Sequence, residues 1–180
     1  MNFESINYDD YEVKTPYPKL STTQKDEAII PDLIYSYAGS KGELTAVTQY
    51  IYQSFIVKPN NNYLGLSRLL EQISIKEMQH LEILSQILIS QGINPKFCRY
   101  IDNNYDICSP WSANNVKYII NVEDFIQYNI KIENDAIDEY RQIVQKSQND
   151  NISEIILRII EDEESHIQIF TKILEILQNG

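Results

Sequence analysis

The alternation of hydrophobic and polar positions along the chain predicts four long helices. Apolar residues recur at helical spacing from Pro31, a residue type favoured at a helix start, to Val57. The same period returns three times, and Asn121 with Asp124 gives a capping signal before the third helix. The predicted helices span residues 31–57, 63–91, 121–147 and 151–178. Short turns within each pair and a long connection between the pairs predict an all-α four-helix bundle, with one long crossover between helices two and three.

Two segments lack the helical period. Residues 1–30 contain prolines, tyrosines and acidic residues, and we predict an extended N-terminal arm that lies on the bundle domain, residues 31–178, or on a neighbouring subunit. The crossover at residues 92–119 is rich in proline and asparagine, and we expect it to contain a short hairpin and to be anchored to the bundle by Trp111.

Composition narrows the function classes. A chain of 180 residues with 43% hydrophobic residues is long enough for one domain with a sizeable core. Its net charge of −11 disfavours nucleic acid and anionic membranes as partners. The same charge suits metal cations, although a solvated acidic surface is the more ordinary explanation. No basic leader and no apolar run of ~18 residues is visible, so we expect a cytoplasmic protein.

The two cysteines, Cys98 and Cys108, lie in the polar crossover, and in a reducing compartment we expect free thiols. No Cys-x-x-Cys pair occurs in the sequence, which excludes a tetrathiolate iron or zinc module in this chain.

Each predicted helix carries one glutamate on its apolar stripe. A charged group that faces a core must be paired or bound to metal. The two histidines of the chain each follow one of these glutamates by three residues, which places both side chains on one helix face. The six candidate metal ligands are Glu43, Glu77, His80, Glu133, Glu163 and His166.

The two halves of the chain repeat this pattern. Tyr50 follows Glu43 by seven residues, and Tyr140 follows Glu133 by the same interval. Two related helix pairs that face each other would bring all six ligands to one point. The repeat therefore predicts a pseudo-twofold site with Tyr50 and Tyr140 beside it.

Four carboxylates and two imidazoles suit two divalent ions, manganese or iron. The expected roles follow from helix geometry: Glu77 and Glu163 bridge the ions, whereas the other two glutamates and the two histidines bind one ion each. Four ionised glutamates and two divalent ions sum to zero charge. Without metal, the buried carboxylates would have to take up protons.

Plainer interpretations exist for each residue alone. An inward glutamate can reflect a misplaced helix phase, and a histidine on an apolar stripe can be an ordinary core residue. Tyr50 and Tyr140 are either catalytic, as radical relays or hydrogen-bond donors, or simply packing side chains. Asp162 either orients a ligand histidine or belongs to a solvated helix face.

The pattern resembles that of the ferritin-like superfamily, in which two helices supply one Glu each and two supply Glu-x-x-His. Two sequences, Tyr-Ala-Gly-Ser-Lys-Gly-Glu-Leu-Thr-Ala at 37–46 and Gln-Tyr-Ile-Tyr-Gln-Ser-Phe at 49–55, look like the first helix of manganese catalases and their short spore-coat relatives. Asp-Glu-Glu-Ser-His at 162–166 is similar to the last helix of rubrerythrins. The resemblance implies a ferritin-like bundle with a dinuclear centre that consumes peroxide.

The resemblance is incomplete. The chain lacks the cysteines of the rubredoxin module of rubrerythrins, and in some manganese catalases the glutamate that matches Glu163 lies in the outer sphere of the metal. Lys76 stands where bacterioferritins have an acidic residue.

We therefore expect an oxidoreductase that consumes hydrogen peroxide, catalase-like or peroxidase-like, and the missing electron-transfer module favours disproportionation. The alternatives are a ferroxidase or iron-binding ferritin-like protein that uses oxygen, and a structural coat-type bundle with a vestigial site. We expect a homo-oligomer, a dimer or larger, without nucleic-acid or membrane partners.

Overall fold

The computed structural model describes residues 3–21, 24–100, 104–105 and 107–179. The helices are α1 (Ile30–Ala38), α2 (Glu43–Val57), α3 (Leu64–Ser90), α4 (Val122–Lys146) and α5 (Asp150–Asn179). Helix α2 packs along α3, and α4 packs along α5. Helices α1 and α2 together take the place of the first predicted helix. The predicted four-helix bundle with one long crossover is therefore confirmed. The predicted cap of α4 is also confirmed, because Asn121 accepts a hydrogen bond from the backbone N–H of Asp124 at 3.0 Å.

The prediction of one continuous first helix is wrong at residues 39–42, where the chain makes a short non-helical connection. Close backbone packing requires glycine here: a Cβ atom on Gly42 would lie 2.4 Å from the carbonyl oxygen of Ser36, and one on Gly39 would lie 2.4 Å from that of Tyr35. The hydroxyl of Thr45 donates to the Gly39 carbonyl at 3.1 Å and ties the new helix to the end of the old one. Helix α2 therefore begins afresh at Glu43.

Two apolar clusters fill the bundle, and a polar layer separates them along the helix axes. On α5, for example, residues 152–160 belong to one cluster and residues 169–173 to the other, while Glu163 and His166 lie between them. On α3 the same division places Glu77 and His80 between apolar residues 66–73 and 84–88. Burial of apolar area at both ends supplies the stability that the polar layer does not.

The crossover contains the expected hairpin. Strand β1 (Cys98–Tyr100) pairs antiparallel with β2 (Cys108–Pro110), and Trp111 donates its indole N–H to the hydroxyl of Thr45 at 2.9 Å. The predicted anchor is therefore confirmed. Both cysteines are free thiols, as expected.

The described part of the arm lies on the bundle of its own chain. Phe3 is buried, and its backbone approaches α3 so closely that a Cβ atom on Gly65 would lie 2.9 Å from its carbonyl carbon. Arg158 on α5 donates to the backbone carbonyl of Thr15 at 2.6 Å. The division into an arm and a separate domain stays a prediction. None of the described helices is both long and apolar enough to cross a membrane.

Candidate metal centre

The polar layer contains all six predicted ligands. Helices α2 and α4 supply one glutamate each, and α3 and α5 supply a Glu-His pair each, because a three-residue interval places both side chains on the same helix face. None of the six is more than 4% exposed. Their donor atoms form two groups of four in which all atoms lie within 4.8 Å of one another: Glu43, Glu77, His80 and Glu163, and Glu77, Glu133, Glu163 and His166. Glu77 and Glu163 belong to both groups.

Both imidazole rings direct Nδ1 toward the two shared carboxylates. His80 Nδ1 lies 2.9 Å from Glu77 Oε2 and 3.1 Å from Glu163 Oε1. His166 Nδ1 lies 2.9 Å from Glu77 Oε1 and 3.0 Å from Glu163 Oε2. Each shared carboxylate thus spans the two imidazoles, with one oxygen toward each ring.

The two predicted tyrosines bind the outer glutamates. Tyr50 of α2 donates its hydroxyl to Glu133 Oε1 at 2.5 Å, and Tyr140 of α4 donates to Glu43 Oε1. Each tyrosine therefore holds the glutamate of the opposite helix, and the two contacts match each other across the pseudo-twofold. Burial is the largest cause that raises the pKa of both hydroxyls well above the usual value, so they remain donors at neutral pH.

Without metal, protons compensate the carboxylates. Burial and then the nearby charges of Glu77 and Glu163 raise the pKa of Glu43 and Glu133 well above the ordinary range. Burial opposes protonation of His166, but the carboxylates, Glu77 first, outweigh it and raise its pKa to about 10. Burial likewise acts to raise the pKa of Glu77, and the two protonated imidazoles outweigh it and hold the pKa well below its usual value.

These residues fit a pair of divalent cations. The donor set combines hard oxygens with imidazole nitrogens, as manganese and iron prefer. Among the described residues, Glu77 Oε1 is a buried oxygen that accepts no hydrogen bond of regular geometry. Cations would replace protons that the site otherwise has to hold.

Asp162 contacts one histidine from outside the cluster. Its Oδ2 lies 3.3 Å from His80 Nε2, the ring nitrogen that points away from the shared glutamates. Asp162 is 2% exposed, so its interpretation as part of a solvated face is wrong and the orienting role fits. Arg158 Nη1 pairs with Oδ2 at 2.8 Å, and the hydroxyl of Tyr17 donates to the same oxygen.

Sequence reasoning missed Arg158 and Tyr17. A basic residue among the apolar positions of α5, four residues before Asp162, is a signal that could have identified Arg158 as a buried partner. Tyr17 lies in the non-periodic arm, where no pattern marks it.

A narrow cleft of about 10 Å³, about the volume that one water molecule needs, lies beside the cluster where α1 ends and α2 begins. Its lining residues are Ser36, Lys41, Gly42, Glu43, Ala46, Ile132, Glu133, Ala136, Glu139, Tyr140 and Glu163. Lys41 forms an ion pair with Asp135 at 2.8 Å, and burial raises the pKa of Glu139 to about 7. The cleft therefore reaches both outer glutamates and one shared glutamate.

A four-helix bundle with one long crossover and a central layer of carboxylates and imidazoles defines a class of metal-binding helical bundles. The chain belongs to the ferritin-like domain family, whose profile matches residues 40–179.

Solved structures share this fold at low sequence identity. A manganese catalase from Anabaena superposes with a TM-score of 0.76 and 23% identity, covering 93% of this chain and 80% of the catalase. A bacterioferritin from Desulfovibrio desulfuricans, with a diiron site, gives 0.67 and 20%, covering 87% and 85% of the two chains. The bacterioferritin BfrA of Mycobacterium tuberculosis gives 0.68 and 19%, covering 87% and 90%. No curated protein matches the sequence.

Proposed function

We propose that the protein is a dinuclear manganese or iron oxidoreductase that consumes hydrogen peroxide. The observation that carries this proposal is the pair of overlapping donor groups, which share Glu77 and Glu163. One ion would be held by Glu43 and His80 with the shared glutamates, and the other by Glu133 and His166 with the same two. A role of Glu163 as a direct ligand is supported by its two oxygens, which face the two imidazoles at 3.1 and 3.0 Å.

Charge balance supports two ions. Four buried carboxylates carry a charge of −4 when ionised, and two divalent cations cancel it without any further counter-ion. When bound, the two ions supply the redox chemistry, since manganese and iron both change oxidation state.

The residues of the chain line the cleft at the metal site and hold hydroxyl protons beside two of its glutamates. Tyr140 lines the cleft and donates its hydroxyl to Glu43, so it is the tyrosine placed to contact a small molecule that enters. Tyr50 does not line the cleft, and its bond to Glu133 positions that carboxylate. We assign a catalytic role to Tyr140 and a supporting one to Tyr50.

Disproportionation is the favoured reaction. One molecule of hydrogen peroxide is oxidised to oxygen while another is reduced to two molecules of water, so electrons and protons balance between the two substrates. No external electron donor is then required, unlike in a peroxidase. The fold shared with a manganese catalase supports this choice.

The test is oxygen release from hydrogen peroxide, recorded with an oxygen electrode. We expect manganese-loaded protein to exceed an equal concentration of free Mn²⁺ and the Glu77→Gln variant to lose the excess. A rate equal to that of free Mn²⁺ would reject the proposal. Protein that retains no metal after growth in manganese-rich or iron-rich medium would instead favour the structural coat-type alternative.

Ferroxidase activity is the second candidate, because bacterioferritins share the fold. It predicts rapid oxidation of about two Fe²⁺ ions per chain by oxygen, followed by continued iron uptake in a large hollow shell. A dimer in light scattering would argue against storage. The cytoplasmic location, the homo-oligomeric state and the likeness to rubrerythrins stay predictions.

A further inference from the structure

The two halves of the cluster have the same contacts around the shared glutamates, but they differ in the contacts on the outward side of each histidine. The inner ligands repeat across the pseudo-twofold, with Nδ1 of each histidine near the same two carboxylates. The outward nitrogens differ: His80 Nε2 has Asp162 at 3.3 Å, whereas His166 Nε2 is buried without a hydrogen-bond partner among the described residues. In the part of the chain that the structure describes, only His80 has a side-chain partner on its outward ring nitrogen.

The N-terminal arm completes the supported half. The hydroxyl of Tyr17 donates to Asp162, and the rings of Tyr17 and His80 lie edge to face with centroids 6.4 Å apart. Arg158, only 4% exposed, pairs with Asp162 and stacks over the Tyr17 ring at 4.5 Å. The same guanidinium donates to the backbone carbonyls of Val13 and Thr15 at 3.1 and 2.6 Å. The arm is thus fastened at the point where Tyr17 reaches the cluster.

In the other half, the sequence position that corresponds to Asp162 is a lysine. Lys76 directly precedes Glu77, as Asp162 directly precedes Glu163. A lysine offers no acceptor to an imidazole N–H, and its Nζ instead donates to Gln79 Oε1 at 3.2 Å. His166 therefore lacks the acceptor that would fix its tautomer and increase its basicity as a ligand.

We propose that Tyr17 is a positioning residue for His80, acting through Asp162, and that it makes the Glu43–His80 metal position bind more tightly than the Glu133–His166 position. This inference rests on the dinuclear centre proposed above. An outer partner of a ligand histidine typically changes metal affinity by roughly 10–100-fold, and only one half has such a partner. The ions then bind in order, with the supported half filled first.

The test is titration of metal-free protein with Mn²⁺, with free Mn²⁺ read from its EPR signal. We expect two steps for the wild type, separated by roughly 10–100-fold in Kd. Tyr17→Phe should weaken the tighter step by about 10-fold and leave the weaker one unchanged. Asp162→Asn, which keeps the side-chain shape but removes the charge, should have the same selective effect. His80→Gln should abolish the tighter step, and His166→Gln the weaker one.

Tyr63→Phe is the matched control, since it removes a hydroxyl from another tyrosine at the arm contact, where the Tyr63 ring meets that of Phe3. Tyr63 lies fourteen residues before Glu77, ~21 Å along the axis at ~1.5 Å per residue, so its variant should titrate like the wild type.

Two equal steps in the wild type, no change in Tyr17→Phe, or equal weakening of both steps would each overturn the inference. A wild type that binds no Mn²⁺ would overturn the metal centre and the inference together. Unequal, Tyr17-dependent steps without any peroxide consumption would reject the proposed reaction and uphold the inference.

Discussion

Glu77 belongs to both donor groups, whereas Glu43 belongs to one, so their substitution should have different consequences for metal-induced stability. In Glu77→Gln each prospective metal position loses a charged oxygen, because Oε1 faces His166 and Oε2 faces His80 at 2.9 Å each. In Glu43→Gln only the position with His80 is affected. We therefore expect Glu77→Gln to lose the stabilisation from both ions and Glu43→Gln to lose that from one.

The magnitude follows from binding linkage. An ion present at about 100 times its Kd stabilises the folded state by about 2.7 kcal/mol, so two ions contribute about 5.4 kcal/mol. For a chain of this size, 1 kcal/mol corresponds to roughly 2–4 °C in Tm. At about 100 times the Kd of the weaker position, the wild type should gain at least about 11–22 °C with Mn²⁺, Glu43→Gln should keep less than half of that gain because it loses the tighter position, and Glu77→Gln should keep close to none.

Thermal unfolding followed by circular dichroism, with and without Mn²⁺, gives this shift for each variant against its own metal-free state. That reference matters because Glu77→Gln also leaves two protonated imidazoles without their nearest partner, which costs about 3–5 kcal/mol before any metal is added. If that variant does not fold, Glu163→Gln tests the same point, since Glu163 is also shared. The proposal that Glu77 and Glu163 each serve both metal positions would be refuted by either of two results. One is a Glu77→Gln or Glu163→Gln variant that keeps half of the Mn²⁺-induced rise in Tm, and the other is a Glu43→Gln variant that loses all of it.

Three further predictions concern protons near the cluster. Tyr50→Phe removes the buried donor to Glu133 and should lower the unfolding free energy of the metal-free protein by about 1–3 kcal/mol in urea denaturation; an unchanged midpoint would contradict that bond. Mn²⁺ binding should strengthen from pH 5.5 to 8 and release protons to an indicator dye, because His166, with its pKa raised to about 10, must lose a proton to bind metal; pH-independent affinity would contradict this. Glu139→Gln should stabilise the protein at pH 8 but not at pH 4. The folded-state pKa of about 7 lies above the unfolded value of 4.5, so the cost of ionisation appears between those values as pH rises. Solvent screening of this half-buried group keeps the gain below about 1 kcal/mol in a urea titration at each pH, and an equal effect at both would refute it.

The six-residue cluster could be predicted because the residue spacings that indicate it lie within single helices. Within a helix the spacing of residues fixes the face they share, and α3, α4 and α5 are unbroken over 27, 25 and 30 residues. The interval of seven between each outer glutamate and a tyrosine then indicated that the halves correspond. Neither inference required knowledge of a contact between distant parts of the chain.

The missed features depend on such contacts. The apolar period runs across Gly39 and Gly42, so sequence predicted a single helix, and only the close approach of backbone carbonyls shows that the chain must break there. The bond between Tyr17 and Asp162 joins residues 145 positions apart, and the arm has no period to place Tyr17 beside any helix. Arg158 pairs with Asp162 of its own helix, but its hydrogen bonds to the arm carbonyls join distant parts of the chain and no pattern in the sequence marks them.

The placement of the polar layer between two apolar clusters has a consequence for the metal-free protein. Each ligand-bearing helix continues into packed apolar residues on both sides of the layer, so the position of its ligands is fixed by contacts that do not involve metal. Protons on Glu43, Glu133 and the histidines remove much of the repulsion among the carboxylates when metal is absent. We therefore expect folding not to depend on metal, unlike in small metal-dependent domains whose cores are too limited to fold alone. We expect exhaustive chelation to leave the helical circular-dichroism signal unchanged at 25 °C while lowering Tm, and loss of helicity on chelation would show that the apolar clusters alone do not hold the four helices in place.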